Sequence, residues 1–504
     1  MGRSHCLFFL SWIVFAALAA CTPAPAAPVP ATDLVWTAEA SPSADPGSSE
    51  SAASEPTESG HNGDPSQGSG QAPAPLPERP VYGIEAVLNY PERSVAVEQR
   101  IVYPNRTGAD LAELVLIVDA AWEAGVFELV ELAVPDGPAP ERWTLAEGVL
   151  TVELADPVPV MTAVSIEISY TLQLPRRPGK RAVFNGQLNL GDWYPMFPEH
   201  REGEGWLVRP THVVGETIVY PLADFELLLE IQGAPNGLVL AAPAPVERSD
   251  NDYRMAAVGY RNVTLSMSDR YEVGEAAAGE TVVWGYAYPE HAVAAAAALE
   301  AAVRALEIYS ELFGPYPHES YTIVAGNFPD GLEYDGLTFV SVDYYVWYDG
   351  TARNYLPLLI AHEAAHQWFY GRVGNDPAFE PWVDESVSIY SELLYLEQAY
   401  PDEPADWWWI FRLDEFRPLG GNVDDSVYDH SGYRPYVNAI YLRGAELMRD
   451  LRAAMGDEVF LEALRAYVER YDGQVATGEG LIEVLEEYSD EDLGAIWEIY
   501  FGRP

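Results

Sequence analysis

The sequence predicts an α+β chain of several domains, an antiparallel β-sandwich or saddle followed by a mixed α/β domain, and three observations lead there. Short alternating or wholly apolar runs recur with turn signals between residues 81 and 288, the period-two pattern of half-buried strands. From residue 289 the apolar spacing lengthens to that of helices, beginning with an alanine-rich run. Inside this second half stands Ala361-His362-Glu363-Ala364-Ala365-His366-Gln367-Trp368, with Glu385 following after a gap of eighteen residues. At 504 residues and 48% hydrophobic composition, the chain is long and apolar enough to bury more than one core.

Residues 1–21 read as an export signal. Arg3 precedes an apolar run over 7–17, too short to span a bilayer as a settled helix. Its end, Leu18-Ala19-Ala20-Cys21, has the form of a bacterial lipobox, in which Cys21 is lipidated and becomes the mature N terminus. Cleavage after Ala19 at a small-x-small site is the alternative. Of the two cysteines, Cys6 would leave with the signal, so Cys21 would have no disulfide partner. The expectation is an extracytoplasmic lipoprotein held on a lipid bilayer by its acyl anchor. Residues 22–80 are Pro, Ala, Ser, Gly and acid, with no basic residue before Arg79. They read as a disordered tether with a reach of about 40 Å.

The β domain is drawn over 81–288, with strands at 95–103, 114–118, 150–154, 164–172, 225–231 and 261–266 and a Trp193-Tyr194-Pro195 corner. The run Arg176-Arg177-Pro178-Gly179-Lys180-Arg181 reads as a charged hairpin tip. The second domain, 289–504, opens with a helix over 290–312 that Phe313-Gly314-Pro315 stops. Strands follow at 321–326 and 337–342, then helices near 355–372, 382–399, 435–455, 457–471 and 490–500. Trp407-Trp408-Trp409 reads as packing, because successive helical residues point about 100° apart. His430 receives no role.

Acidic residues number 78 against 28 basic, a formal charge of −50, and Lys180 is the sole lysine. That balance excludes nucleic acid as a partner and argues against docking on anionic headgroups. It suits a solvated surface, or adaptation to high salt.

Two histidines four apart on a helix project from one face, so both imidazoles reach one metal at about 2.0–2.1 Å. Glu363 beside them is placed to hold a water and take its proton, as a general base. The eighteen residues before Glu385 suffice to end that helix, turn through Gly374-Asn375-Asp376-Pro377 and begin a second helix at Trp382. Three protein ligands, His362, His366 and Glu385, leave a fourth position open, the arrangement of catalytic zinc.

The stretch 362–368 together with Pro381-Trp382-Val383-Asp384-Glu385 resembles the aminopeptidase N family of gluzincins, which includes leukotriene hydrolase. Asp330-Gly331-Leu332-Glu333-Tyr334 is similar to that family's Gly-x-Met-Glu-Asn segment, and Ala439-Ile440-Tyr441-Leu442-Arg443-Gly444-Ala445 to its catalytic tyrosine segment. The resemblance implies a thermolysin-like catalytic domain and one zinc ion. It also implies that Glu333, with Gly331, binds the substrate's free α-amino group and that Tyr441 stabilises the tetrahedral intermediate. Tyr433 and Tyr436 are rivals to Tyr441, and Gln187 is a candidate contact from the β domain. Asp330, Leu332, Tyr334 and Asp384 depart from the family's glycine, methionine, asparagine and asparagine, and the exchange at Tyr334 bears on which first residues are accepted. Larger members continue into a helical C-terminal domain, so this chain reads as a short form with an open cleft. The function expected is removal of N-terminal residues from peptides with a free N terminus. A zinc endopeptidase or oligopeptidase, or a surface lipoprotein that binds peptides without cleaving them, are the alternatives.

Overall fold

The computed structural model describes residues 35–37, 76–403 and 405–502. The expectations for Cys21 and for most of the tether lie outside the described residues. No helix among those residues is long and apolar enough to cross a membrane.

The first half is built on a seven-stranded sheet in the order Val246–Ser249, Asp252–Tyr260, Ala223–Gln232, Val81–Asn89, Ser94–Pro104, Ala163–Gln173, Phe127–Ala133. Alternation does what period two requires. In Val81–Asn89 the residues Tyr82, Ile84, Ala86 and Leu88 are buried while their neighbours are more exposed. One pairing departs from the antiparallel expectation, since Ala223–Gln232 runs parallel to Val81–Asn89. A three-stranded sheet (Leu111–Ile117, Val149–Val158, Pro140–Ala146) and a four-stranded sheet (Val239–Ala241, Leu265–Ser268, Gln187–Leu190, Arg181–Phe184) share its core. The Trp193-Tyr194 corner is buried in that core, where Trp193 Nε1 donates to the Val263 carbonyl.

The domain boundary drawn at 288 needs correction. Glu272–Ala278 and Thr281–Ala287 join the catalytic sheet, whose order is Val35–Thr37, Glu272–Ala278, Thr281–Ala287, Ser320–Gly326, Leu337–Ser341, Gly331–Tyr334. Thr281–Ala287 and Ser320–Gly326 are parallel, with Val282 opposite Ser320, and the helix Ala292–Phe313 is the crossover that parallel pairing demands. Helix cover explains why Ser320–Gly326 and Leu337–Ser341 are buried at every position. Alternation reports burial and not partners, so the period-two pattern through 288 did not place a sheet boundary at Glu272.

The expected strand at 261–266 begins only at Leu265. Arg261 instead plugs the seam between the halves, donating to the carbonyls of Gly371, Tyr220, Arg372 and Gln474. The basic run at 176–181 is not a hairpin tip. It connects strands of different sheets, and its end turns inward, Arg181 to Asp119 and Lys180 to Asp192.

Candidate active site

The motif helix, Tyr355–Ala365, starts at an Asn354 side chain that accepts from the Leu356 amide at 3.1 Å. It is shorter than expected. His366 is its C-cap, and the chain turns away through Gln367–Gly371. The Gln367 side chain accepts from Gly336 N at 2.9 Å and donates to the Tyr334 carbonyl at 3.2 Å. The residue after the second histidine therefore braces the hairpin that carries Glu333.

Helix Trp382–Ala399 brings Glu385 back to the histidines. His362 Nε2 and His366 Nε2 lie 3.3 Å apart, and Glu385 Oε2 lies 3.4 and 3.5 Å from them. Tetrahedral donors about 2.0–2.1 Å from one ion sit about 3.3–3.4 Å from each other, so this triangle is already spaced for zinc. Glu385 Oε2 is buried with no hydrogen bond, which suits a metal ligand, and Glu363 Oε2, likewise without one, is free to accept a proton.

Electrostatics agree. Burial disfavours charge on His362, but the Glu385 and Glu392 carboxylates outweigh it and push the imidazole up to about 9. Burial opposes ionisation of Glu385 too, yet the two histidines pull it down to about 2. Glu363 is pushed up to about 8, by burial first and then by Glu333. A divalent ion in the triangle would lower the Glu363 value and expel the histidine protons.

Sequence reasoning missed what stands behind the ligands. Glu392, 0% exposed, faces His362 Nδ1 at 3.4 Å. It is gripped by Arg412 Nε and Nη2 at 2.8 and 2.7 Å and by Trp408 Nε1 at 3.0 Å. His366 Nδ1 donates to the Phe369 carbonyl at 3.1 Å, with Ser388 Oγ at 3.3 Å. Such partners set imidazole orientation and basicity. Spacing held the signal: Glu392 lies seven residues after Glu385, two turns along the same helix face. The middle tryptophan of Trp407-Trp408-Trp409 thus packs, as expected, but also braces this carboxylate.

Gly331–Tyr334 is the edge strand, antiparallel to Leu337–Ser341 with Glu333 opposite Thr338. A Cβ on Gly331 would fall 1.8 Å from Glu363 Oε1, so only glycine lets strand and base approach this closely. The Glu333 carboxyl is raised by burial, against the pull of His366. From the first half comes Glu216, also missed, whose carboxyl burial and the adjacent Glu333 push well up.

Tyr441 lies on a π-helical turn, Val437–Leu442, where a plain helix was expected; such turns concentrate at functional sites. Ser386 Oγ donates to the Ile440 carbonyl at 2.8 Å, and a Cβ on Gly444 would strike Ser386 Oγ at 2.0 Å. That close packing delivers the Tyr441 hydroxyl to Glu385 Oε1, to which it donates. Tyr436 is buried beside Tyr441, with ring centroids 5.7 Å apart, while Tyr433 is exposed. Gln187 is not available to a ligand: its amide donates to Tyr271 Oη and the Ala325 carbonyl and accepts from Asn327 N. His430 is buried, 5.7 Å from the Tyr436 ring.

Among the described residues, His362, His366 and Glu385 are the group whose ligand atoms lie close enough together to hold one metal ion. Residues 297–500 match the peptidase family M1 domain. It is 30% identical over 227 residues to an aminopeptidase N of Lactococcus lactis subsp. lactis, 41% of this chain and 26% of that protein. It is 29% identical over 241 residues to aminopeptidase M1-B of Oryza sativa subsp. japonica, again 41% of this chain and 26% of the relative. The chain thus spans about a quarter of the length of these curated relatives. In fold it is similar to an M1 zinc metallopeptidase of Deinococcus radiodurans, with a TM-score of 0.59 at 18% identity over 84% of this chain and 94% of that one. The same protein bound to a Tyr-Ser-Ala substrate gives a TM-score of 0.60 at the same identity and coverage.

Proposed function

We propose that this protein is a zinc-dependent aminopeptidase that hydrolyses the first peptide bond of peptides with a free N terminus. The observation that carries the reading is Glu333, a carboxylate on the edge strand Gly331–Tyr334, whose Gly331 lies directly against the general-base candidate Glu363. A substrate backbone that adds to this edge is stopped where its ammonium pairs with Glu333, which registers the first peptide bond over the triangle.

His362, His366 and Glu385 would hold the zinc, which when bound would supply Lewis acidity to water and to a carbonyl oxygen. Glu363 takes the proton of the attacking water on its free oxygen and passes it to the leaving amine. Tyr441 turns its O–H from Glu385 to the developing oxyanion, a hydrogen bond that matters most in the transition state.

The location proposed is extracytoplasmic, with Cys21 lipidated; support comes from the apolar run and Leu18-Ala19-Ala20-Cys21. Comparing a free peptide with its N-acetylated twin tests the activity. Acetylation should cost about two decades or more in kcat/KM, because it removes the charge and leaves Glu333 without its partner. Equal cleavage of both would move the activity to an endopeptidase.

A further inference from the structure

The sole lysine of the chain, Lys180, pairs with Asp192, the residue that also ties down Tyr334, one strand position from Glu333. Along Gly331–Tyr334 successive side chains alternate, so with Glu333 toward the triangle, Tyr334 turns away from it. Tyr334 is 4% exposed. Its hydroxyl donates to Asp192 Oδ2 at 3.3 Å.

Asp192 is a hub. It is 4% exposed, and it accepts from Lys180 Nζ at 2.5 Å and from Tyr220 Oη at 2.5 Å. Its carbonyl accepts from Arg181 Nη1 at 2.7 Å. Its backbone is left-handed, with φ of 47°, a region aspartate tolerates better than most residues. The preceding Gly191 leaves the space the tyrosine needs: a Cβ there would fall 2.5 Å from Tyr334 Oη and 3.0 Å from the Lys180 carbonyl oxygen. Lys180 also reaches Asp119 Oδ2 at 3.4 Å. Burial works against its charge, but Asp192 and Asp119 prevail and hold the ammonium above its ordinary range. With 37% of the lysine side chain exposed, solvent screens part of that pairing. The phenol of Tyr334 is held neutral by burial and by Asp192, so it remains a donor.

We propose that Tyr334 is a positioning residue: through Asp192, which Lys180 and Tyr220 also hold, it clamps the edge strand to the β half and so aims Glu333 at the substrate's ammonium. This rests on the aminopeptidase reading. Other ties on the hairpin come from the catalytic half, through Gln367 and through His318 Nε2, 2.8 Å from Asp335 Oδ1, and from the β half through Asp335, which accepts from Arg261 N at 2.8 Å and whose own N donates to Asn262 Oδ1 at 3.3 Å. Among the described residues the Asp192 tie is the side-chain hydrogen bond that holds Tyr334, next to Glu333, so loosening it should cost ammonium recognition before it costs the hydrolytic step.

The test uses the zinc-loaded protein, a free tripeptide and its N-acetylated twin, with Tyr334→Phe and Asp192→Asn as variants and hydrogen exchange at the 331–334 amides as a second readout. Tyr334→Phe keeps the ring that packs beside Phe339 and removes only the hydroxyl, so it decides the matter even if Asp192→Asn fails to fold. The expected result for Tyr334→Phe is unchanged zinc content, kcat within twofold, and KM for the free peptide raised about three- to tenfold, as losing one hydrogen bond implies. Preference for the free over the acetylated peptide should fall by the same factor, with faster exchange at 331–334. Wild-type KM and preference in Tyr334→Phe, or a loss confined to kcat, would overturn the clamp while leaving the aminopeptidase reading intact. Equal cleavage of the two peptides by the wild-type protein would overturn that reading, and the role of the seam with it.

Discussion

Replacing Glu392 with glutamine leaves the metal ligands untouched and removes only the charge behind one of them. The carboxylate is fully buried and makes three hydrogen bonds, two from Arg412 and one from Trp408, while facing His362 Nδ1 at 3.4 Å. Glutamine has one acceptor oxygen and an NH2 that must point either at Arg412 or at the imidazole, where it meets another donor. Two separable effects follow. Zinc affinity should fall about 10- to 100-fold, the usual cost of losing a carboxylate partner to a ligating histidine, or about 1.4–2.7 kcal/mol. The metal-free protein should also lose about 3 kcal/mol of folding stability, because the Arg412 charge is left in a buried site without its anion. Competition against a chromogenic chelator reads the first effect, and denaturant unfolding of the metal-free protein reads the second. Trp408→Phe is the control: it removes one donor at a cost of about 1 kcal/mol and should leave zinc affinity within threefold. If Glu392→Gln binds zinc as tightly as the wild type, or no more weakly than Trp408→Phe, the assignment of Glu392 to the metal site is wrong.

Glu385→Ala should abolish tight zinc binding, whereas Glu363→Gln should keep the metal and lose roughly two to four decades of turnover; metal analysis beside kinetics checks both. Tyr441→Phe should lower kcat by about two to three decades at constant zinc content, and a loss confined to KM, or a larger effect of Tyr436→Phe, would reassign the role. Gly331→Ala must displace either the strand or the Glu363 carboxylate, since the added carbon would overlap Glu363 Oε1 at 1.8 Å; kcat/KM should drop about 100-fold or more with zinc retained. The metal-free imidazole of His362 is raised to about 9 and must be neutral to ligate, so zinc binding at pH 7 should release a proton from it. Calorimetry in buffers of different ionisation enthalpy should show that release fading as pH rises through 9, and zinc affinity rising with pH up to that point.

The metal ligands were legible because helical geometry is local. Residues four apart share a face whatever surrounds them, so His362 and His366 could be paired from spacing, and the turn signals before Trp382 brought Glu385 into range. Half-buried strands announced themselves for the same reason, through alternation of neighbours. Glu392 was within reach by that logic too, seven positions beyond Glu385 on the same helix, and was overlooked. The roles expected of Glu333 and Tyr441 came from resemblance, since no local rule connects either residue to the histidines. Tertiary structure alone decided the rest. That Glu272–Ala278 and Thr281–Ala287 belong to the catalytic sheet depends on partners across the chain, and period two does not name partners. That Gln187 is consumed by Tyr271, Ala325 and Asn327, and that Lys180 and Arg181 turn inward, follow from buried groups distant in sequence that each need a hydrogen bond or counter-charge. Periodicity determines which side of an element is buried; what it is buried against is set by the packing of the whole molecule.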